Sequence, residues 1–285
     1  MAGYKPVKIA YKAFEPAGGS NDALAPVIFL HGVICSKEMW DDIPQTIANK
    51  TKRKAYVYDA RNHGESESSE HYNYDLNVED LFHFMNGLDI KKAVLVGHSM
   101  GGLTATDSAL KKPDRVEMVF SEDMFIKKIP AQIVDDAVKY ITVWTEVVRN
   151  LPKDLKESDA YNQAVDILYE KNPGTEMFSP KEVLKKSKLL LKRKSDGGYD
   201  INFVKDPMLK SFRDPETLRT NPSGEFNGPA YFLYGGNSPF AVGNEESHIK
   251  KHFPKAELIE FEGASHSIHG EFPEKFVQTI VSRLQ

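Results

Sequence analysis

The sequence has a single cysteine, Cys35, among 285 residues. One thiol cannot close an internal disulfide, so a disulfide-stapled secreted scaffold is excluded and a reducing compartment fits. No run of about 18 apolar residues occurs, which argues against a transmembrane helix. The N-terminus shows neither the apolar core of a signal peptide nor the arginine-rich look of a transit peptide, so a cytoplasmic location is expected. Charge of one sign is also missing: 37 basic against 41 acidic residues leave a net charge of −4. That balance gives no broad attraction to nucleic acid. No internal repeat, low-complexity tract or regularly spaced cluster of metal ligands is visible, so neither a metal nor a cofactor is expected. The partner expected is a small molecule, and the sequence leaves the oligomeric state open.

What is present is an ordinary globular composition, 40% hydrophobic and 27% charged. Short apolar runs recur at Val27–Leu30, Ala55–Tyr58, Ala93–Val96 and Val116–Phe120. Continuous runs of this length suit strands buried on both faces. Between them lie segments of helical spacing, Tyr74–Leu88 and Leu103–Lys112. Such alternation predicts an α/β fold with a mostly parallel central sheet flanked by helices. The pattern breaks after about Asp123 and resumes at Tyr231–Tyr234, followed by a helix near Glu245–His252, a strand through Leu258 and Phe261, and a last helix, Phe272–Leu284. The core is therefore expected at 1–124 and 227–285, with a helical cap inserted at 125–226. Within the insertion, residues 130–151 carry Ile133, Ala137, Ile141, Trp144 and Val148 on one helical face. Ser179-Pro180-Lys181-Glu182 reads as a helix start, opening a lysine-rich helix through about Lys192. Gly197-Gly198 reads as a loop. The lysine-rich runs read as solvated faces.

The chemistry centres on Gly97-His98-Ser99-Met100-Gly101, set between a strand and a helix. Gly-x-Ser-x-Gly in that setting is a nucleophile elbow: the glycines permit a sharp turn that exposes the serine hydroxyl at the carboxyl edge of the sheet. His31-Gly32-Val33 ends another strand, and its turn can aim the Val33 amide at the same spot as the Met100 amide. Two such donors make an oxyanion hole. A serine needs an adjacent base. Of nine histidines, His266 lies just past the last strand, at the same sheet edge; His269 is its rival. His31, His63 and His98 stand beside other motif residues and read as structural. The base needs an acid to hold its tautomer. The strand Tyr231–Tyr234 ends in Gly235-Gly236-Asn237-Ser238-Pro239, which contains no acid. The preceding strand ends in Ser121-Glu122-Asp123, so Asp123 is chosen over Glu122 and Glu245. The turn Asp59–Gly64 reads as a structural brace, and Cys35 as a passive thiol.

The strings HGVICSKEMW, YDARNHGES, VGHSMGG, YGGNSPF and GASHSIHGEFPEKF resemble the alpha/beta-hydrolase superfamily, in particular the group of alpha/beta-hydrolase domain-containing protein eleven and its bacterial esterase relatives. The resemblance covers nearly the whole chain apart from about 130–226. It implies an alpha/beta-hydrolase fold and a serine hydrolase of carboxylic or lipid esters. Its site would be Ser99, Asp123 and His266, with the Val33 and Met100 amides. The group places its acid after the earlier strand, in a string matched here by Asp123-Met124-Phe125-Ile126. By analogy with animal members the location would be mitochondrial. Phe125, Trp144 or nearby apolar residues of the cap are candidates for an acyl pocket. A thioesterase or amidase using the same triad is the alternative, as is a non-catalytic binding protein of the same fold.

Overall fold

A computed structural model describes residues 4–186, 191–214, 218–219 and 221–285. The first half alternates β1 (Tyr11–Phe14), β2 (Val27–Leu30), α1 (Ile43–Thr51), β3 (Ala55–Tyr58), α2 (Tyr74–Gly87), β4 (Ala93–His98), α3 (Met100–Lys111) and β5 (Val116–Glu122). An excursion follows: α4 (Ala131–Arg149), α5 (Glu157–Lys171), α6 (Lys181–Lys186), β6 (Leu191–Arg193), β7 (Tyr199–Ile201) and α7 (Lys205–Phe212). The chain then returns through β8 (Ala230–Gly235), α8 (Glu246–His252), β9 (Ala256–Phe261), α9 (Ile268–Glu271) and α10 (Pro273–Leu284).

Seven strands form one sheet in the order β1-β3-β2-β4-β5-β8-β9. Only β1 runs antiparallel, at the edge. The central strands β2 and β4 are buried along their whole length, because helices cover both faces. The order reverses between β2 and β4: the chain leaves β2 toward β3, then crosses back to place β4 on the other side. At such a switch point the loops diverge and open a crevice at the carboxyl edge. Leu30 pairs with Gly97, and His98 with Glu122, so the residues that follow β2, β4 and β5 emerge side by side.

The excursion between β5 and β8 is not all helical. Leu191–Arg193 pairs with Tyr199–Ile201 as an antiparallel hairpin apart from the main sheet. The expected lysine-rich helix through Lys192 is corrected accordingly: the described helix ends at Lys186, and its last residues stand in a strand. The local lysine pattern cannot reveal a partner strand, whereas Gly197-Gly198, read as a loop, forms the hairpin turn, with Gly197 at φ 82°. Arg219 ties the end of the excursion to the core. Its guanidinium meets Asp107 of α3 with Nε 2.8 Å from Oδ2, and donates to the Ile126 carbonyl at 2.7 Å. No described helix is long and apolar enough to cross a membrane.

Candidate active site

Ser99 sits between β4 and α3 at φ 52°, ψ −115°, a conformation that L residues rarely adopt. The two flanking glycines make it attainable. A Cβ on Gly97 would lie 2.1 Å from the Gly101 carbonyl oxygen, and one on Gly101 would lie 2.0 Å from that of Leu30. The turn is pinned to the next strand by the Ser99 amide, which donates to the Glu122 carbonyl at 3.0 Å. Met100 opens α3, so its amide has no partner within the helix. Val33 lines the same cavity as Ser99. The loop that carries Val33 is braced by two histidines. His63 Nε2 accepts from the Ile34 amide at 3.2 Å, and His31 Nε2 accepts from the Ala60 amide at 2.9 Å. Their Nδ1–H groups donate to the Arg61 and Gly32 carbonyls. Each ring is thus satisfied as the neutral tautomer. Burial lowers both pKa values, that of His63 to about 3. The brace expected of Asp59–Gly64 takes this form, helped by Asp59, which holds the Lys37 ammonium at 2.7 Å.

Asp123 and His266 come together across the edge. His266 Nδ1 lies 2.6 Å from Asp123 Oδ2. An ionised carboxylate can only accept, so Nδ1 carries a proton, and in the neutral ring that leaves the lone pair on Nε2. Asp123 is fully buried and stands at φ 50°. The turn without an acid, Gly235–Pro239, supplies its donors instead. The Gly235 amide donates to Oδ1 at 3.0 Å, and the Ser238 hydroxyl donates to Oδ2. Asn237 grips the loop of His266, its amide donating to the Ala264 carbonyl at 2.9 Å. The alternative acid Glu245 is paired with Lys127, and Glu122 with His269. His269 gives both its amide (2.8 Å) and its Nδ1–H (2.7 Å) to Glu122 Oε1. His269 is thus paired with a carboxylate of its own.

Sequence spacing misses one grouping. His98, Glu122 and His269 offer potential ligand atoms within 4.8 Å of one another, the one such trio among the described residues. These residues lie far apart in the chain and meet only through strand pairing. His98 Nε2 faces the His266 carbonyl at 3.0 Å, and His269 Nδ1 is committed to Glu122, so two of the imidazole nitrogens are occupied by hydrogen bonds. Burial, with His266 and His269 nearby, holds His98 well below the usual imidazole range.

An apolar cavity of about 140 Å³ lies over Ser99 and His266. The excursion supplies one side, through Ile133, Ala137, Tyr140 and Ile141 of α4 and Val183 and Leu184 of α6. Phe240 stacks on the His266 ring at 4.2 Å and 13°. The expected acyl-pocket residues Phe125 and Trp144 are not among those lining it. Both are fully buried: Trp144 lies beyond the cavity-facing turns of α4 and packs against Tyr161, and Phe125 packs against Phe240. Cys35 borders the cavity, and burial together with the Glu122 carboxylate pushes its thiol up to about 12. That is a passive thiol, as the sequence implies.

A profile for the alpha/beta hydrolase fold matches residues 25–273. The chain belongs to the alpha/beta hydrolase fold family. The fold family, together with relatives named for a lipase and an esterase, makes it an ester-hydrolysing enzyme. Among curated relatives, an "sn-1-specific diacylglycerol lipase ABHD11" from Danio rerio is 31% identical over 284 residues, covering 98% of this chain and 83% of its own. An "Ethanol acetyltransferase 1" from Cyberlindnera fabianii is 26% identical, covering 96% and 85%. Among solved structures, a "Marine microorganism esterase" aligns with TM-score 0.75 at 24% identity, covering 97% of this chain and 99% of that one.

Proposed function

We propose that this alpha/beta hydrolase is a serine carboxylic-ester hydrolase of acyl or lipid esters, working through a Ser99–Asp123–His266 triad and an acyl-enzyme. The observation that carries the reading is the 2.6 Å contact between Asp123 and His266, whose ring lines the same cavity as Ser99. Asp123 fixes the tautomer that leaves His266 Nε2 as a base. Ser99 Oγ attacks the ester carbonyl and its proton passes to Nε2. The developing oxyanion is held by the Val33 and Met100 amides. Collapse expels the alcohol, which takes the proton from His266. Water, deprotonated by His266, then attacks the acyl-enzyme and releases the acid. Phe240 and the apolar side of the cavity keep bulk water from the imidazole, which strengthens each charge interaction during the reaction.

The curated relatives are named for a diacylglycerol lipase and an ethanol acetyltransferase, and those names support an acyl-ester substrate. The test is covalent labelling by a fluorophosphonate with peptide mapping. Label is expected on Ser99 of the folded protein, and Ser99→Ala should neither label nor hydrolyse p-nitrophenyl butyrate. Undiminished hydrolysis by Ser99→Ala would overturn the assignment.

A further inference from the structure

The cavity over Ser99 is small. At about 140 Å³ it compares with an engineered cavity of about 150 Å³ that accommodates benzene, so it holds an acyl group on the order of four to six carbons. Behind it, between the Lys37–Trp40 turn, α1 and α10, lies a second and larger space of about 920 Å³. Its lining includes the apolar Ile43, Val277 and Val281 and the exposed Asp42, Lys50 and Glu274. Three residues border both spaces: Met39, Val183 and His269.

Each of the three is held differently. His269 is fixed by Glu122, which takes both its amide and its ring N–H. Met39 is buried next to Trp40, whose ring lies 5.1 Å from that of His269. Val183 reaches across from α6 and rests on the backbone of α9, so closely that a Cβ on Gly270 would lie 2.6 Å from its Cγ1. The partition is thus one fixed imidazole and two apolar side chains, with open space on its far side.

We propose that Met39, Val183 and His269 form the stop that sets acyl-chain length, making this enzyme a hydrolase of short-chain esters. The proposal rests on the ester-hydrolase reading above. A chain longer than the cavity must displace Met39 or Val183, and the groove beyond can take it only when one of them is cut back. Removing atoms from the stop therefore changes selectivity and leaves the chemistry at Ser99 in place.

The experiment measures kcat/KM on p-nitrophenyl esters from acetate to dodecanoate, for the wild type, Val183→Ala and Met39→Ala. The wild type should peak between butyrate and hexanoate and fall about a hundredfold by dodecanoate. A methylene or two of pocket space is worth roughly tenfold or more in selectivity, so the octanoate-to-butyrate ratio should rise by at least that in one or both variants. Two variants are used because either alone could fold poorly, which circular dichroism would reveal. A wild type that takes dodecanoate as well as butyrate, or an unchanged ratio in both folded variants, overturns the stop. Failure of the wild type to hydrolyse any ester would instead overturn the ester-hydrolase reading itself.

Discussion

Two acid–imidazole pairs stand side by side at the carboxyl edge of the sheet, and they differ in what lies around them. Asp123 holds His266 at 2.6 Å, and Glu122 holds His269 at 2.7 Å. Both acids are fully buried, and both histidines are nearly so. Both come from adjacent acids at the end of β5 and from histidines three residues apart after β9. Yet Asp123 receives further donors from Gly235 and Ser238, whereas Glu122 Oε2 has no hydrogen-bond partner among the described residues. Phe240 covers the ring of His266. His269 faces Trp40 and the partition with the second groove. Pair geometry alone therefore does not assign a catalytic role. The surroundings differ: one pair is braced by Gly235 and Ser238 and covered by Phe240, while the other fastens α9 to β5.

The largest expected effect separates the two pairs directly. Asp123→Asn should lower kcat by about a thousand- to ten-thousandfold, because an amide can stabilise the wrong tautomer of His266. Glu122→Gln keeps an acceptor for the two N–H groups of His269, and kcat should fall by less than about tenfold. The measurement is steady-state hydrolysis of p-nitrophenyl butyrate by both variants. A larger loss in Glu122→Gln than in Asp123→Asn would exchange the roles of the two pairs.

A second contrast sets these pairs against the bracing histidines. His63 accepts from a backbone amide through Nε2, so its neutral form is built into the fold. Its folded pKa of about 3 lies below the unfolded value of 6.5. Between those values the unfolded chain binds the extra proton, so stability is present above about pH 6.5 and is lost as pH falls. For His63 alone the loss from pH 7 to pH 5 is on the order of 2 kcal/mol. Burial lowers His31 and His98 in the same direction. Urea unfolding midpoints should drop from pH 7 to pH 5, and His63→Gln, whose side-chain oxygen can still accept from Ile34, should flatten the slope. A midpoint that is level or rising toward pH 5 would contradict the neutral brace.

Much of the site was legible because its residues are tied to strand ends. The glycines around Ser99 announce a close backbone approach, and the structure shows why nothing larger fits. Asp123 could be reached by elimination, since the turn after β8 lacks an acid. What that turn does instead was not legible. Gly235, Asn237 and Ser238 read as an absence, and only the pairing of β5 with β8 turns them into donors for Asp123 and the His266 loop. The excursion was the least legible part. Its hairpin depends on a partner strand, and its cavity-lining face depends on where α4 meets the core. Trp144 shares the helical face of Ile133 and Ile141 but packs against Tyr161 and does not line the cavity. The Glu122–His269 pair was hidden for the same reason: residues 147 apart in the chain meet through tertiary packing.

The smallest expected effect probes the bracing that distinguishes the first pair from the second. The Ser238 hydroxyl donates to the same Asp123 oxygen that meets His266. Ser238→Ala leaves one lone pair of a buried carboxylate without its donor, at a cost of about 1–3 kcal/mol that is shared between stability and positioning. With Gly235 still in place, kcat should fall roughly tenfold with KM nearly constant, since the loss acts on the base and not on substrate contacts. Ser238→Thr retains the hydroxyl and should recover most of the rate. A Ser238→Ala enzyme with wild-type kcat would mean that the Gly235 amide alone suffices. The two acid–imidazole pairs would then differ by that single donor and by what their histidines face.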